Sequence, residues 1–151
     1  MAGFSIGTTL GHTVTLLVIA SGSGCASRGV TANKLEVAVA ATFANLIQVQ
    51  EAMLEMPPVD ATDLRASATC RRIGPGADPA GGGDWACTLH WFVPGRKLAL
   101  HETYDLSVST DGCYTATTEG ADAHVGGARL ATRHGSVTNL LYVFNGCFDT
   151  T

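Results

Sequence analysis

The stretch Trp85–Val108, WACTLHWFVPGRKLALHETYDLSV, contains the pattern that decides the fold. Two runs in which apolar and polar residues alternate flank the sequence PGRK at 94–97, which is typical of a turn. Such a period of two is expected of strands that each bury one face. The sequence therefore predicts an antiparallel hairpin whose two strands share an inner, apolar face.

The register of this hairpin follows from matching the two apolar faces. A turn of two or four residues places Trp91 opposite Leu100 and Cys87 opposite Tyr104. The apolar side chains of both strands then coincide, as a sheet with one buried face requires. Glu102 is the charged exception on the inner face, and we expect it at the rim or hydrogen-bonded to the backbone or to an arginine.

On the outer face, the same register sets His90 opposite His101. The β-carbons of such a pair lie about 5 Å apart, close enough for both imidazoles to contact one metal ion. A tight zinc site needs three or four ligands. Two solvated surface histidines are therefore the simpler interpretation, with His90 and His101 kept as candidate metal ligands. His124 and His134 fall in the glycine-rich stretch 120–136, where we expect loops.

The flanking segments extend the sheet. Thr110-Asp-Gly112 predicts a three-residue hairpin loop, which sets Val108 opposite Tyr114. Further strands are expected at Leu64–Ile73 and Val137–Asn145. Together with the central hairpin, these segments predict a meandering antiparallel sheet of about five strands.

Upstream of the strands, residues 33–55 carry a helical pattern. Apolar residues recur at spacings of three and four, which places one stripe towards a core. Asn33, three residues before Glu36, predicts the N-terminal cap, and Pro57-Pro58 follows the helix. The expected fold class is α+β, with one long N-terminal helix packed on the sheet.

The first 27 residues contain no Asp, Glu, Lys or Arg, and their apolar run TVTLLVIA, at 13–20, is short. Such a run favours a secretory signal peptide over a spanning helix of about 20 residues. Ser23 and Gly24 precede Cys25, and this arrangement resembles the lipobox of bacterial lipoproteins, although Gly22 stands where leucine is usual. Ordinary secretion and an uncleaved signal anchor are the alternatives.

The resemblance to lipoproteins implies a division of the chain. Residues 1–24 would be the signal peptide, and Cys25 would carry the lipid at the start of a tether over 25–32. A single domain over 33–151 would lie on the extracytoplasmic face of the cell membrane. The segments DGCYTA, at 111–116, and LLYVFNGCFDT, at 140–150, also resemble small cell-envelope lipoproteins of actinobacteria. That likeness implies a disulfide-stabilised envelope domain and brings no reaction with it.

Apart from Cys25, the chain has four cysteines, an even number that suits two disulfides in an oxidising compartment. Their spacings lack the C-x₂-C pairs of zinc sites. Three pairings are possible, and spacing alone does not choose among them. Their places on the predicted strands favour Cys70 with Cys87, on successive strands, and Cys113 with Cys147, each at the end of an element.

The charge distribution and the lack of catalytic motifs argue against several classes of function. The net charge is −4 and the basic residues are dispersed, which argues against nucleic-acid binding. No G-x-S-x-G elbow or phosphate-binding loop is present, and Glu102 and Asp105 fall on opposite faces of one strand. We expect a non-enzymatic binding or accessory role without a cofactor, towards an envelope protein or glycan. The alternative is a hydrolase or transferase of the cell wall whose site the sequence does not reveal.

Overall fold

The computed structural model describes residues 29–74, 80–118 and 124–151. Two helices, one 3₁₀ turn and seven strands make up this part of the chain. In chain order they are α1 (Ala32–Met53), α2 (Ala61–Leu64), β1 (Ser67–Arg72), β2 (Gly83–Val93), the 3₁₀ turn Pro94–Arg96, β3 (Leu98–Val108), β4 (Cys113–Thr118), β5 (Arg129–Thr132), β6 (Gly135–Thr138) and β7 (Val143–Cys147).

The strands form one five-stranded antiparallel sheet in the order β1-β2-β3-β4-β7 and a separate hairpin, β5–β6. The predicted α+β class and the five-stranded antiparallel sheet are confirmed. The small hairpin lies between β4 and β7 in the chain and was not predicted.

The register of β2 and β3 agrees with the prediction from the apolar faces. Trp91 pairs with Leu100, and Cys87 pairs with Tyr104. The pairing ends at Val93 and Leu98, so the connecting loop has four residues. The next loop is also as expected: Ser109 and Cys113 close it through a backbone hydrogen bond of 2.8 Å.

Glycine is required in that second loop. Gly112 has φ +88°, and a β-carbon there would come within 2.5 Å of the Phe148 carbonyl oxygen. A larger residue would be strained twice, by its backbone conformation and by this close approach. The loop is therefore fixed by packing against the last residues of the chain as well as by its own turn chemistry.

Helix α1 buries its apolar stripe against the inner face of the sheet. Leu35, Val39 and Phe43, spaced four residues apart, are fully buried. The Phe43 ring centroid lies 5.0 Å from that of Trp91 and 6.1 Å from that of Tyr104. Burial of each such side chain stabilises the fold by about 1.5–3 kcal/mol. This contact joins the helix to the central hairpin.

The start of α1 differs from the prediction. The N-cap is Thr31, whose hydroxyl accepts the Lys34 backbone N–H at 3.4 Å, so Asn33 lies inside the first turn. A cap residue needs an extended backbone, and an isolated β-bridge to Ala80 holds Thr31 in that conformation. Ordered contacts begin still earlier, because Val30, in the segment expected to be a tether, is only 2 % exposed.

The predicted strand over Val137–Asn145 is wrong as a single element. β6 ends at Thr138 and β7 begins at Val143, with a turn between them. The buried Asn139 forms this turn: its amide nitrogen donates to the Val125 carbonyl at 2.8 Å, and its amide oxygen accepts the Leu141 N–H at 3.0 Å. These hydrogen bonds take the place of the backbone hydrogen bonds to a neighbouring strand that a continuous strand would need.

The predicted first strand is too long at its N-terminal end. Leu64 closes the short helix α2, which begins when Asp60 accepts the Thr62 backbone N–H at 2.8 Å. Arg65 then adopts a left-handed conformation, with φ 47°, and β1 begins at Ser67. An aspartate cap therefore takes precedence over the extended conformation that we expected there.

Two disulfides, Cys70–Cys87 and Cys113–Cys147, confirm the predicted pairing. Each joins residues directly opposite each other on neighbouring strands. The first is buried, and the second lies nearer the surface. Because β1 and β7 are the outermost strands of the sheet, each edge strand is bonded covalently to its inner neighbour.

The free edge of β1 is closed at one point by helix α1. The backbone N–H of Cys70 faces away from β2 and donates to a Glu36 carboxylate oxygen at 2.8 Å. An unpaired strand edge is a template for pairing with another chain. Glu36 therefore satisfies one edge donor and places a negative charge where a foreign strand would approach.

We expect removal of either disulfide to lower the free energy of unfolding. The bridges span 17 and 34 residues, so loop-closure entropy predicts losses of about 3 and about 4 kcal/mol respectively. Urea denaturation of the paired variants Cys70→Ala/Cys87→Ala and Cys113→Ala/Cys147→Ala measures these losses. Stability unchanged in both variants would contradict the structural role given to the bridges.

The Glu36 contact gives a second prediction. Glu36→Ala leaves the Cys70 N–H without its acceptor and should lower the free energy of unfolding by about 1–3 kcal/mol. Glu36→Gln keeps a side-chain oxygen as acceptor and is the matched control, with a smaller loss expected. Denaturation reports the stability, and gel filtration reports any association through the uncovered edge. Equal losses in the two variants would contradict this argument, because the side-chain oxygen kept in Glu36→Gln would then contribute nothing to stability.

Candidate functional site

A pair of histidines lies on the outer face of the sheet. His90 on β2 and His101 on β3 are directly opposite, and their ring centroids are 5.8 Å apart. The Ile73 N–H donates to the Asp84 carbonyl at 2.8 Å, which fixes the alternation of the ladder and directs the backbone groups of His90 towards β1. His90 and His101 are therefore a non-hydrogen-bonded pair, the type in which side chains lie closer together.

A third imidazole adjoins this pair. The ring centroid of His124 lies 5.8 Å from that of His101. All three side chains are exposed. From the sequence we expected His124 in a loop. No spacing in the sequence indicates this contact, because His124 belongs to no strand and is brought to β3 by tertiary structure.

Glu102 holds the His124 backbone in place. One carboxylate oxygen accepts the His124 backbone N–H at 2.7 Å, and the other accepts the Thr118 hydroxyl at 3.1 Å. The charged residue on the inner face thus bonds to the backbone, one of the outcomes that we expected. β3 extends beyond its last pairing with β4 at Tyr104 and Thr118, and Glu102 lies where that pairing stops.

Tyr104 connects this region to the core. It is fully buried, and its hydroxyl donates to the Leu141 carbonyl at 2.8 Å. Burial, and to a lesser extent the negative charge of Glu102, raises the pKa of Tyr104 well above its ordinary value. The tyrosine therefore stays neutral and acts as a fixed hydrogen-bond donor on the inner face of β3.

Within 29–74, 80–118 and 124–151, no group of three or more His, Cys, Asp or Glu side chains is arranged to hold a metal ion as those side chains are oriented. His134 lies elsewhere, on the turn between β5 and β6, with its Nε2 atom 3.9 Å from a Glu55 carboxylate oxygen. Both partners are well exposed, so this contact is worth little.

A groove of about 540 Å³ lies between α1, α2 and β1. Small and apolar side chains line most of it, and Val37, on the rim, is 65 % exposed. Glu36 is the titratable residue in its lining. The groove thus presents a mainly apolar lining beside the free edge of β1.

The remaining candidates have structural roles. Asp105 is exposed on the outer face, opposite in direction to Glu102. The Ser109 hydroxyl bonds to Asp111 and to the Cys113 carbonyl within the β3–β4 loop. Phe92 is partly buried, and the Arg65 guanidinium carbon lies 5.7 Å from its ring centroid.

Comparisons of the chain with models of protein families, with curated proteins and with solved structures find no match. Among the residues that the structure describes, no helix has the length and apolar character needed to cross a membrane. The predicted signal peptide and Cys25 lie outside those residues, as do residues 120–123 of the glycine-rich stretch 120–136.

The buried tyrosine predicts a dependence of stability on alkaline pH. Tyrosines of the unfolded chain ionise near pH 10, whereas Tyr104 stays neutral in the folded protein, so unfolding releases a proton above that pH. Its contribution is complete below about pH 10 and falls by up to about 1.4 kcal/mol per pH unit above it. Tyr114, whose pKa burial also raises, contributes in the same direction.

Urea denaturation between pH 8 and pH 11, in about half-unit steps, checks this expectation. Tyr104→Phe should flatten the alkaline loss and also lower stability at neutral pH by about 1 kcal/mol, because the bond to Leu141 is lost. Tyr142→Phe, at a partly exposed tyrosine, is the control and should keep the wild-type slope. A Tyr104→Phe slope equal to that of wild type would contradict the argument.

Proposed function

We propose that the chain is a lipoprotein of the bacterial cell envelope, with a non-enzymatic binding or accessory role on the extracytoplasmic face of the membrane. The observation that carries the proposal is the pair of disulfides, Cys70–Cys87 and Cys113–Cys147. Disulfides form and persist in oxidising compartments outside the cytoplasm. Four of the five cysteines are used in this way, which leaves Cys25.

Cys25 has the sequence context of a lipid attachment site, since small residues precede it and an apolar run lies upstream. A diacylglycerol anchor supplies two acyl chains, enough for stable attachment where a single chain is marginal. Gly29, four residues after Cys25, already donates its N–H to the Thr150 carbonyl at 2.6 Å. The anchor would therefore hold the domain close to the membrane by the end that contains Gly29 and the C-terminal residues.

With such an anchor, the direction of the strands would determine which part of the domain faces away from the membrane. The Gly81 N–H donates to the Val30 carbonyl at 2.8 Å, so β2 begins at the end of the domain that contains Gly29. His90 follows Gly83 by seven residues, which corresponds to about 23 Å along the strand. The histidines and the β2–β3 turn would project towards the envelope, where an envelope protein or a glycan is the expected partner.

The test is metabolic labelling with a radioactive fatty acid. Wild type should take up label, and mass spectrometry should place its mature N-terminus at Cys25. Cys25→Ser should abolish the label and leave an uncleaved or mis-sorted precursor. Ser23→Ala keeps a small residue before the cysteine and is the matched control, for which labelling should persist. A wild-type protein that takes up no label and whose N-terminus maps elsewhere would contradict lipid anchoring and indicate ordinary secretion.

A further inference from the structure

We propose that His90, His101 and His124 bind a divalent transition-metal ion, with His101 as the central ligand. Imidazole nitrogen suits copper and zinc ions, and among divalent first-row metals copper(II) binds nitrogen sites most tightly. Copper(II) is therefore the expected ion of highest affinity. The site depends on the three imidazoles and not on lipid attachment at Cys25.

The distances between the rings fit such an ion. Two imidazoles that share one ion, with metal–nitrogen distances of 2.0–2.1 Å, have ring centroids roughly 5–6 Å apart. The centroids of His90 and His101 are 5.8 Å apart, as are those of His101 and His124. Each adjacent pair can thus ligate an ion after small changes in ring orientation, with water in the open positions.

The third ligand requires side-chain rotation, because the three rings lie in series and do not converge on one point as oriented. All three side chains are exposed, and exposed side chains change rotamer within nanoseconds. Binding through the central His101 and one neighbour needs the least movement. A rotation of the other neighbour adds its nitrogen.

The backbone beneath the site is held in place independently of the metal. β2 and β3 pair without interruption through His90 and His101. The His124 backbone is fixed by its hydrogen bond of 2.7 Å to Glu102. The Glu102 carboxylate also accepts the Thr118 hydroxyl, at 3.1 Å, which ties it to the end of β4. Glu102 is therefore a positioning residue, since it acts through the His124 backbone.

Copper(II) titration of the purified full-length protein tests the proposal. We expect roughly one ion per chain at micromolar affinity, with an electron paramagnetic resonance spectrum that shows two or three nitrogen ligands. His101→Ala should abolish this binding. His90→Ala and His124→Ala should each weaken it and remove a nitrogen from the spectrum. His134→Ala changes an exposed histidine outside the site and should leave affinity and spectrum unchanged.

Glu102 supplies a second measurement. Glu102→Ala should weaken copper binding by about tenfold, as is typical when a group that orients a ligand is removed. The same change in a His124→Ala background should have no further effect, because Glu102 acts only through His124. Circular dichroism and the disulfide state identify any variant that fails to fold. If Glu102→Ala does not fold, the variants of the exposed histidines alone decide whether the metal site exists.

The possible results distinguish the metal site, the positioning role of Glu102 and the proposed lipid anchoring. Wild-type affinity in His101→Ala, or equal losses in His101→Ala and His134→Ala, would overturn the site and indicate unspecific surface binding. An additive effect of Glu102→Ala in the His124→Ala background would overturn the positioning role. The histidine and Glu102 variants are compared with Cys25 in the same state, so failure here and failure of the proposed anchoring are distinguishable.

Discussion

The pairing of β2 with β3 is the constraint on which the rest of the structure depends. Eleven residue pairs, from Gly83 opposite Val108 to Val93 opposite Leu98, fix every inner and outer position of the central hairpin. A slip of one residue in either strand would exchange its two faces. The aromatic residues that meet Phe43 of α1 would then face solvent, and the histidines would face the core. The packing of α1 on the inner face and the position of the histidines on the outer face therefore both depend on the β2–β3 register.

The disulfides extend this constraint to the edges of the sheet. β1 is attached to β2 by Cys70–Cys87, and β7 is attached to β4 by Cys113–Cys147. A small domain with one helix of several turns has limited core to hold its outer strands, and covalent links reduce the freedom of the unfolded chain instead. Glu36 adds a local contact, because its carboxylate accepts the Cys70 backbone N–H at the β1 edge.

The features predicted from sequence are those that repeat locally. Alternation and turn length gave both hairpin registers, and the positions of the cysteines on those strands gave their pairing. The errors arose where a single contact with a distant or irregular stretch of backbone decides the local structure. The bridge to Ala80 makes Thr31 the cap instead of Asn33, and Asn139 turns the chain where a strand was expected. The His124 contact depends on Glu102: the alternation predicts the inner position of this residue but not its bond to the His124 backbone.

The central claim is that the β2–β3 register organises the domain, and native-state hydrogen exchange followed by nuclear magnetic resonance tests it most directly. The account predicts that the backbone amides of Cys87, Leu89 and Tyr104, which point between β2 and β3, exchange only through global unfolding and are the slowest in the protein. Amides of α1 or β7 that remain protected after those three have exchanged would contradict the account, because the hairpin would then open while the elements said to depend on it stayed folded.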